Sequence, residues 1–177
     1  LDENTYNVTV VKDQTVRANS NEIPGDDPIG IEIVKNDVET LGLPQGDATL
    51  EGAEFTVKYY NGYYTKNNLP ENATRTWVLQ TRKRTYNGQD VYVANLSNNC
   101  KVSGDDFYLD QDGLPCLPLG TISIEETKAP KGYLLKGNTL NVTDTATGTT
   151  STVEDSNYVA QITKEYQGAK LQFGNNA

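Results

Sequence analysis

Lys35, Glu126 and Asn175 each stand where a strand-like alternation calls for an apolar side chain. The isoleucines of Ile31-Glu32-Ile33-Val34-Lys35 share a phase with Lys35. Those of Ile122-Ser123-Ile124-Glu125-Glu126 share one with Glu126, and Leu171 and Phe173 of Leu171-Gln172-Phe173-Gly174-Asn175 share one with Asn175. Strand side chains alternate faces with a period of two, so all three polar residues are expected to point into a core. An amine, an acid and a carboxamide are costly to bury for structural reasons alone. Together they are the parts of an amide-forming reaction.

The chemistry needs a neutral amine, whereas a solvated lysine is almost fully protonated at neutral pH. Burial disfavours the ammonium and makes Lys35 a candidate nucleophile. A buried, protonated Glu126 can polarise the Asn175 carbonyl and pass a proton to departing ammonia. Each residue also has an ordinary role open to it. Lys35 can snorkel to the rim, Glu126 can cap a turn, and Asn175 can end a strand. Glu125 and Asn176 are the rival acid and amide, but both have the outward phase and need a bulge to turn inward.

Short strands must position these residues. Strand patterns fall at 30–37, 53–61, 75–82, 90–96, 106–110, 120–127, 133–136, 138–143, 157–163 and 169–175. Asn87-Gly88 and Asp112-Gly113 are hairpin signals, and Ala129-Pro130-Lys131-Gly132-Tyr133 is a strand-ending turn. A helical turn or two fits between 64 and 74; elsewhere no helix has a convincing apolar stripe. The expected fold is an all-β sandwich. Residues 6–11 form a further strand pattern, followed by the linker-like Ile23-Pro24-Gly25-Asp26-Asp27-Pro28. The main domain is therefore expected over 29–177, with 1–28 the end of a preceding module or an added edge strand.

Composition narrows the function. The 177 residues carry 24 acidic and 15 basic side chains, for a net charge of −9, which argues against nucleic acid or an anionic membrane as partner. Histidine is absent, which removes Ser-His-Asp and Cys-His catalysis and histidine-ligated zinc. No apolar run is long enough to cross a bilayer as a helix. The lack of any methionine suggests a processed or excised segment.

Cys100 and Cys116 can close a loop of about 15 residues by a disulfide worth roughly 3 kcal/mol, or remain as thiols. Neither sits in a recognisable thioester context. Asp105, Asp106, Asp110 and Asp112 offer oxygen ligands before Gly113, but their spacing is not that of an EF-hand. They read better as a solvated acidic hairpin. No metal or cofactor is expected.

Lys35-Asn36-Asp37, Leu50-Glu51-Gly52-Ala53-Glu54-Phe55, the run Gly120 to Tyr133 with its Glu-Thr-Lys-Ala-Pro-Lys-Gly-Tyr block, and Phe173-Gly174-Asn175 occur in this order. The pattern resembles the collagen-adhesin B-type (Cna-B, or SpaA-like pilin) domain over roughly 29–177. The resemblance implies a prealbumin-like, Ig-like β-sandwich on the surface of Gram-positive bacteria, in pili and adhesins. It also implies a spontaneous Lys–Asn isopeptide bond between the first and last strands, promoted by an acid from a middle strand. Lys35, Asn175 and Glu126 match those positions. The stretch between Tyr64 and Gly120 is longer than the compact pattern and reads as an insertion around 64–119.

Two functions follow as expectations. One is a structural stalk or pilin module, cell-wall-anchored or on a pilus, whose only catalysis is one autocatalytic turnover. Its partners are neighbouring domains or subunits. The alternative is an adhesin module that binds host protein or glycan through residues 59–119, where Tyr59, Tyr60, Tyr63, Tyr64 and Trp77 offer rings. The plainer reading of those tyrosines is a hairpin that packs half its rings inward. Lys12 is a weak match to the lysine by which pilins are joined, lacking the expected proline, and Leu69-Pro70-Glu71-Asn72-Ala73 is an internal, incomplete sorting motif. The sequons at Asn7, Asn72, Asn95 and Asn141 matter only in a eukaryotic secretory route.

Overall fold

A computed structural model describes residues 31–37, 39–40, 44–135, 139–144, 150–153, 157–163 and 169–175, the stretches 139–144, 150–153 and 169–175 through their backbone. The strand pattern at 6–11, the linker at 23–28, Lys12 and Asn176 lie outside these residues.

The described strands are β1 (Glu32–Asp37), β2 (Glu54–Tyr60), β3 (Arg75–Gln80), β4 (Arg82–Tyr86), β5 (Gln89–Asn95), β6 (Lys101–Gly104) and β7 (Tyr108–Leu109). They continue with β8 (Pro115–Cys116), β9 (Gly120–Lys128), β10 (Thr139–Asp144), β11 (Thr150–Val153), β12 (Asn157–Ile162) and β13 (Ala169–Asn175). A single 3-10 turn at Lys66–Asn68 supplies the helical turn expected between 64 and 74.

Two sheets carry the fold. One runs β11-β10-β13-β1-β5-β4 and the other β12-β9-β2-β3-β6, with β7-β8 as a separate small hairpin. Every pairing is antiparallel except β1 with β13, which lie side by side and parallel. The first and last described strands are thus neighbours, and Lys35 stands opposite Phe173 and Asp37 opposite Asn175.

The core forms where the inward phases of both sheets meet. Ile33 of β1 and Ala94 of β5 pack with Phe55, Val57, Trp77, Leu79, Ile122, Ile124 and Ile162 from the other sheet. This is the all-β sandwich expected from the alternation. A second, smaller cluster joins Leu50, Tyr92 and Tyr133.

The stretch 64–119 is woven into both sheets. Its β3 lies beside β2 and its β5 beside β1, and Trp77 and Leu79 are wholly buried. The expected strand 75–82 ends at Gln80, because buried Thr81 uses its side chain for the backbone. Its hydroxyl donates to the Leu50 carbonyl at 2.7 Å and accepts from the Ala53 amide at 3.0 Å. Asn87-Gly88 makes the β4–β5 hairpin with positive φ at both residues (49° and 77°), as a type I′ turn requires. The strand expected at 133–136 is not formed through Leu135. Instead Pro130 to Tyr133 closes a turn, with the Tyr133 amide on the Pro130 carbonyl at 3.1 Å and Gly132 at φ +91°.

Trp77→Ala should cost about 3–5 kcal/mol in denaturant unfolding, as expected for deleting a fully buried indole. Gly88→Ala should cost about 1 kcal/mol through its left-handed φ alone.

Candidate functional site

Lys35 comes from β1 and Glu126 from β9, so the pair reaches across from one sheet to the other. Lys35 is 1% exposed and Glu126 3%. The Lys35 Nζ donates to Glu126 Oε2 at 3.3 Å and lies 3.2 Å from Oε1, so it straddles the carboxylate. Both side chains follow the phase expected from their strands. Glu125 takes the outward phase and is exposed, which removes it as the inward acid.

A β-bulge sits immediately after Glu126. Phe55 pairs with Glu126 but Glu54 pairs with Lys128, leaving Thr127 as the extra residue. Bulges twist a strand and re-aim its side chains. Here the bulge lets the strand emerge to solvent at Thr127 and Lys128 directly after burying an acid.

Burial pushes the Lys35 amine down from 10.5 to about 8, against the opposing charge and hydrogen bond of Glu126. At that value about one amine in ten is neutral at pH 7, against about one in three thousand for an ordinary lysine. Burial raises the neutral fraction of the amine by roughly two to three orders of magnitude.

Asn175 lies on β13 two residues along from Phe173, the register partner of Lys35. It is therefore in phase with Lys35 on the strand period of two. Its side chain lies outside the described residues.

Asp37 had been visible only as the end of Lys35-Asn36-Asp37, with no role assigned. It is fully buried. Four donors converge on its carboxylate: the Glu39 amide at 2.8 Å, the Thr40 amide at 3.0 Å, Gln45 Nε2 at 3.2–3.3 Å and the Tyr133 hydroxyl at 2.8 Å. Burial alone would raise the Asp37 carboxyl, but the hydrogen bonds from Thr40, Tyr133, Glu39 and Gln45 hold it below its ordinary value. Burial and the Asp37 carboxylate push the Tyr133 phenol up to about 12. The one available signal was that Asp37 shares the inward phase of Lys35.

The other candidates are separate from this pair. Cys100 and Cys116 are free thiols in place of the disulfide the sequence allows. Cys100 is buried against β5, its Sγ donating to the Val93 carbonyl at 3.7 Å, while Cys116 lies in the β7–β8 hairpin. Burial and Asp110 push the Cys116 thiol up, so it is no activated nucleophile. Two of the aspartates serve the backbone: Asp105 accepts from the Thr76 amide, and Asp110 from the Asp112 and Leu114 amides. Trp77, Tyr59 and Tyr60 are buried and present no open ring face, whereas Tyr63 is exposed. That is the inward-packing hairpin the tyrosine run suggested.

Residues 30–159, more than half the chain, match the family described as SpaA: Prealbumin-like fold domain. The chain belongs to this SpaA family. No curated protein matches it. SpaA-type domains are typical of Gram-positive surface pilins, so family membership points to a structural module outside the cell. The SpaA match ends before β13, yet β13 completes the sheet beside β1 and carries Asn175.

An Asn175→Ala variant presents no carboxamide at that position, so the Lys35 amine can be followed through its titration. Its folded value near 8 lies below its unfolded 10.5, so the unfolded chain binds more protons between them. Stability should therefore rise as pH increases through that window, by about 3 kcal/mol relative to the Lys35→Met, Asn175→Ala double variant. Urea unfolding across the pH range checks both sign and window.

Proposed function

We propose that this domain is a force-bearing module of a surface pilus or adhesin, stiffened by an autocatalytic amide bond between Lys35 and Asn175. The single observation that carries this reading is the buried amine of Lys35, lowered to about 8 and straddling the Glu126 carboxylate between two sheets. An ion pair placed there is hard to explain by stability, since two charges removed from water recover little more than their desolvation cost.

Transfer of one proton from Nζ to Glu126 leaves two neutral groups. The Nζ lone pair then attacks Asn175 Cγ while the Glu126 acid hydrogen-bonds the carbonyl oxygen. A C–N bond forms, the original C–NH2 bond breaks, and ammonia leaves with protons relayed through Glu126. No oxidant, metal or cofactor enters the balance. The reaction occurs once per chain, so the domain is its own substrate and no external one is turned over.

The topology supports the mechanical reading. β1 and β13 are adjacent and parallel, so tension on the two ends of the domain loads them in shear. A Lys35–Asn175 bond carries that force from strand to strand and leaves residues 36–174 outside the path. Closing a loop of this size adds about 4–5 kcal/mol in the chain-entropy model. Neighbouring domains or subunits of the same assembly are the partners this role requires.

Intact-mass measurement of the purified chain should show loss of one ammonia. Lys35→Ala, Glu126→Ala and Asn175→Ala should each retain the full calculated mass. An unmodified wild-type mass rules the bond out.

A further inference from the structure

Two polar contacts cross from β1 to the segment that holds Glu126, and they lie next to each other. The first is Lys35 to Glu126. The second is Asp37, two residues further along β1, which receives the Tyr133 hydroxyl at 2.8 Å from the turn that follows β9. Lys35 to Asp37 is one strand period, and β9 ends at Lys128, shortly before that turn. Asp37 also stands opposite Asn175 in the parallel register. The strand ends that carry the amine and the amide thus meet where Tyr133 is fastened.

Tyr133 is held on both sides of its hydroxyl. Its ring packs with Leu50 and Tyr92, and the turn beneath it depends on Gly132, where a Cβ would lie 2.7 Å from that of Ala48. On the acceptor side, the Glu39 and Thr40 amides and Gln45 fix the Asp37 carboxylate. Asp37 is therefore a poor proton donor and has no place in the relay through Glu126. What it can supply is distance and dryness.

We propose that the Tyr133–Asp37 hydrogen bond is a positioning latch for the Lys35–Glu126 pair, holding the two sheets at the separation that amide formation needs and closing that end of the core to water. The latch rests on the proposed Lys35–Asn175 reaction. Opening it lets the sheets part by a fraction of an ångström, and misplacement on that scale slows a positioned reaction steeply. Water admitted beside Lys35 stabilises its ammonium and moves the neutral form to higher pH. The ionisable groups around the two contacts are Glu126 from β9, Tyr133 from the turn, Tyr92 from β5, and Glu39 after β1.

The test follows ammonia loss by intact mass after cell-free synthesis of the full chain, with samples quenched over time across a pH series. Tyr133→Phe keeps the ring and deletes only the hydroxyl. It should slow bond formation by about tenfold or more and move the pH midpoint of the rate up by about one unit. Asp37→Asn retains an acceptor oxygen and should lose less rate than Asp37→Ala. Circular dichroism checks folding; if Tyr133→Phe fails to fold, the Asp37→Ala time course, which removes the acceptor, carries the test. A folded Tyr133→Phe, or in its place Asp37→Ala, that reacts at the wild-type rate overturns the latch and leaves the amide bond standing. A loss of rate that is uniform in pH, with an unmoved midpoint, assigns Tyr133 to stability alone and also overturns it. A wild-type chain that never loses ammonia removes the proposed bond, and the latch with it.

Discussion

Lys35 and Glu126 meet inside a largely apolar sandwich, and the surrounding structure is arranged around that contact. Each group taken alone would be an uncompensated charge in a medium that solvates charge poorly. The pair can exist only if β1 and β9, in different sheets, are held at a separation of one lysine plus one glutamate. Ile33, Phe55, Ile122 and Ile124 set that spacing by packing on the same inner faces. Apolar burial supplies the stability, and desolvating the polar pair consumes part of it.

The two buried acids show how surroundings assign roles to the same functional group. Asp37 is saturated with donors, including two backbone amides and a phenol, so its negative charge is settled. Glu126 instead faces a cation whose own charge is disfavoured by burial. Moving a proton onto Asp37 would break a set of charge-assisted hydrogen bonds, whereas the Glu126 carboxylate is held by Lys35 across the core. In the reaction proposed for this domain Glu126 is the acid that relays a proton, and Asp37 is the one that holds strands in place.

Much of this arrangement was legible along the chain. The inward phase of Lys35 and Glu126, the outward phase of Glu125 and the Asn87-Gly88 hairpin all follow from local rules. Other elements escaped for identifiable reasons. β4, with Arg82-Lys83-Arg84-Thr85-Tyr86, is a charged strand at the sheet edge and shows no apolar alternation. β6, β8 and β11 are too short, or too rich in Ser, Thr and Gly, to show a period. The stretch 64–119 read as an insertion because its length was visible while its pairing was not. Its tryptophan proved to be core. Asp37 read as the end of a motif because its donors come from Glu39, Thr40, Gln45 and Tyr133, the last of them 96 residues away.

What the linear chain determined was direction: backbone sterics impose a period of two on any strand, so residue order alone says which side chains point inward together. The partner of each inward side chain was decided only by tertiary structure. Lys35 and Glu126 lie 91 residues apart, and Asp37 and Asn175 meet only through a parallel pairing of the first and last described strands. Such meetings depend on which sheet each strand joins, and that choice is made by burial summed over the whole core. The bulge at Thr127 belongs to the same class, since an extra residue exists only relative to the strand beside it.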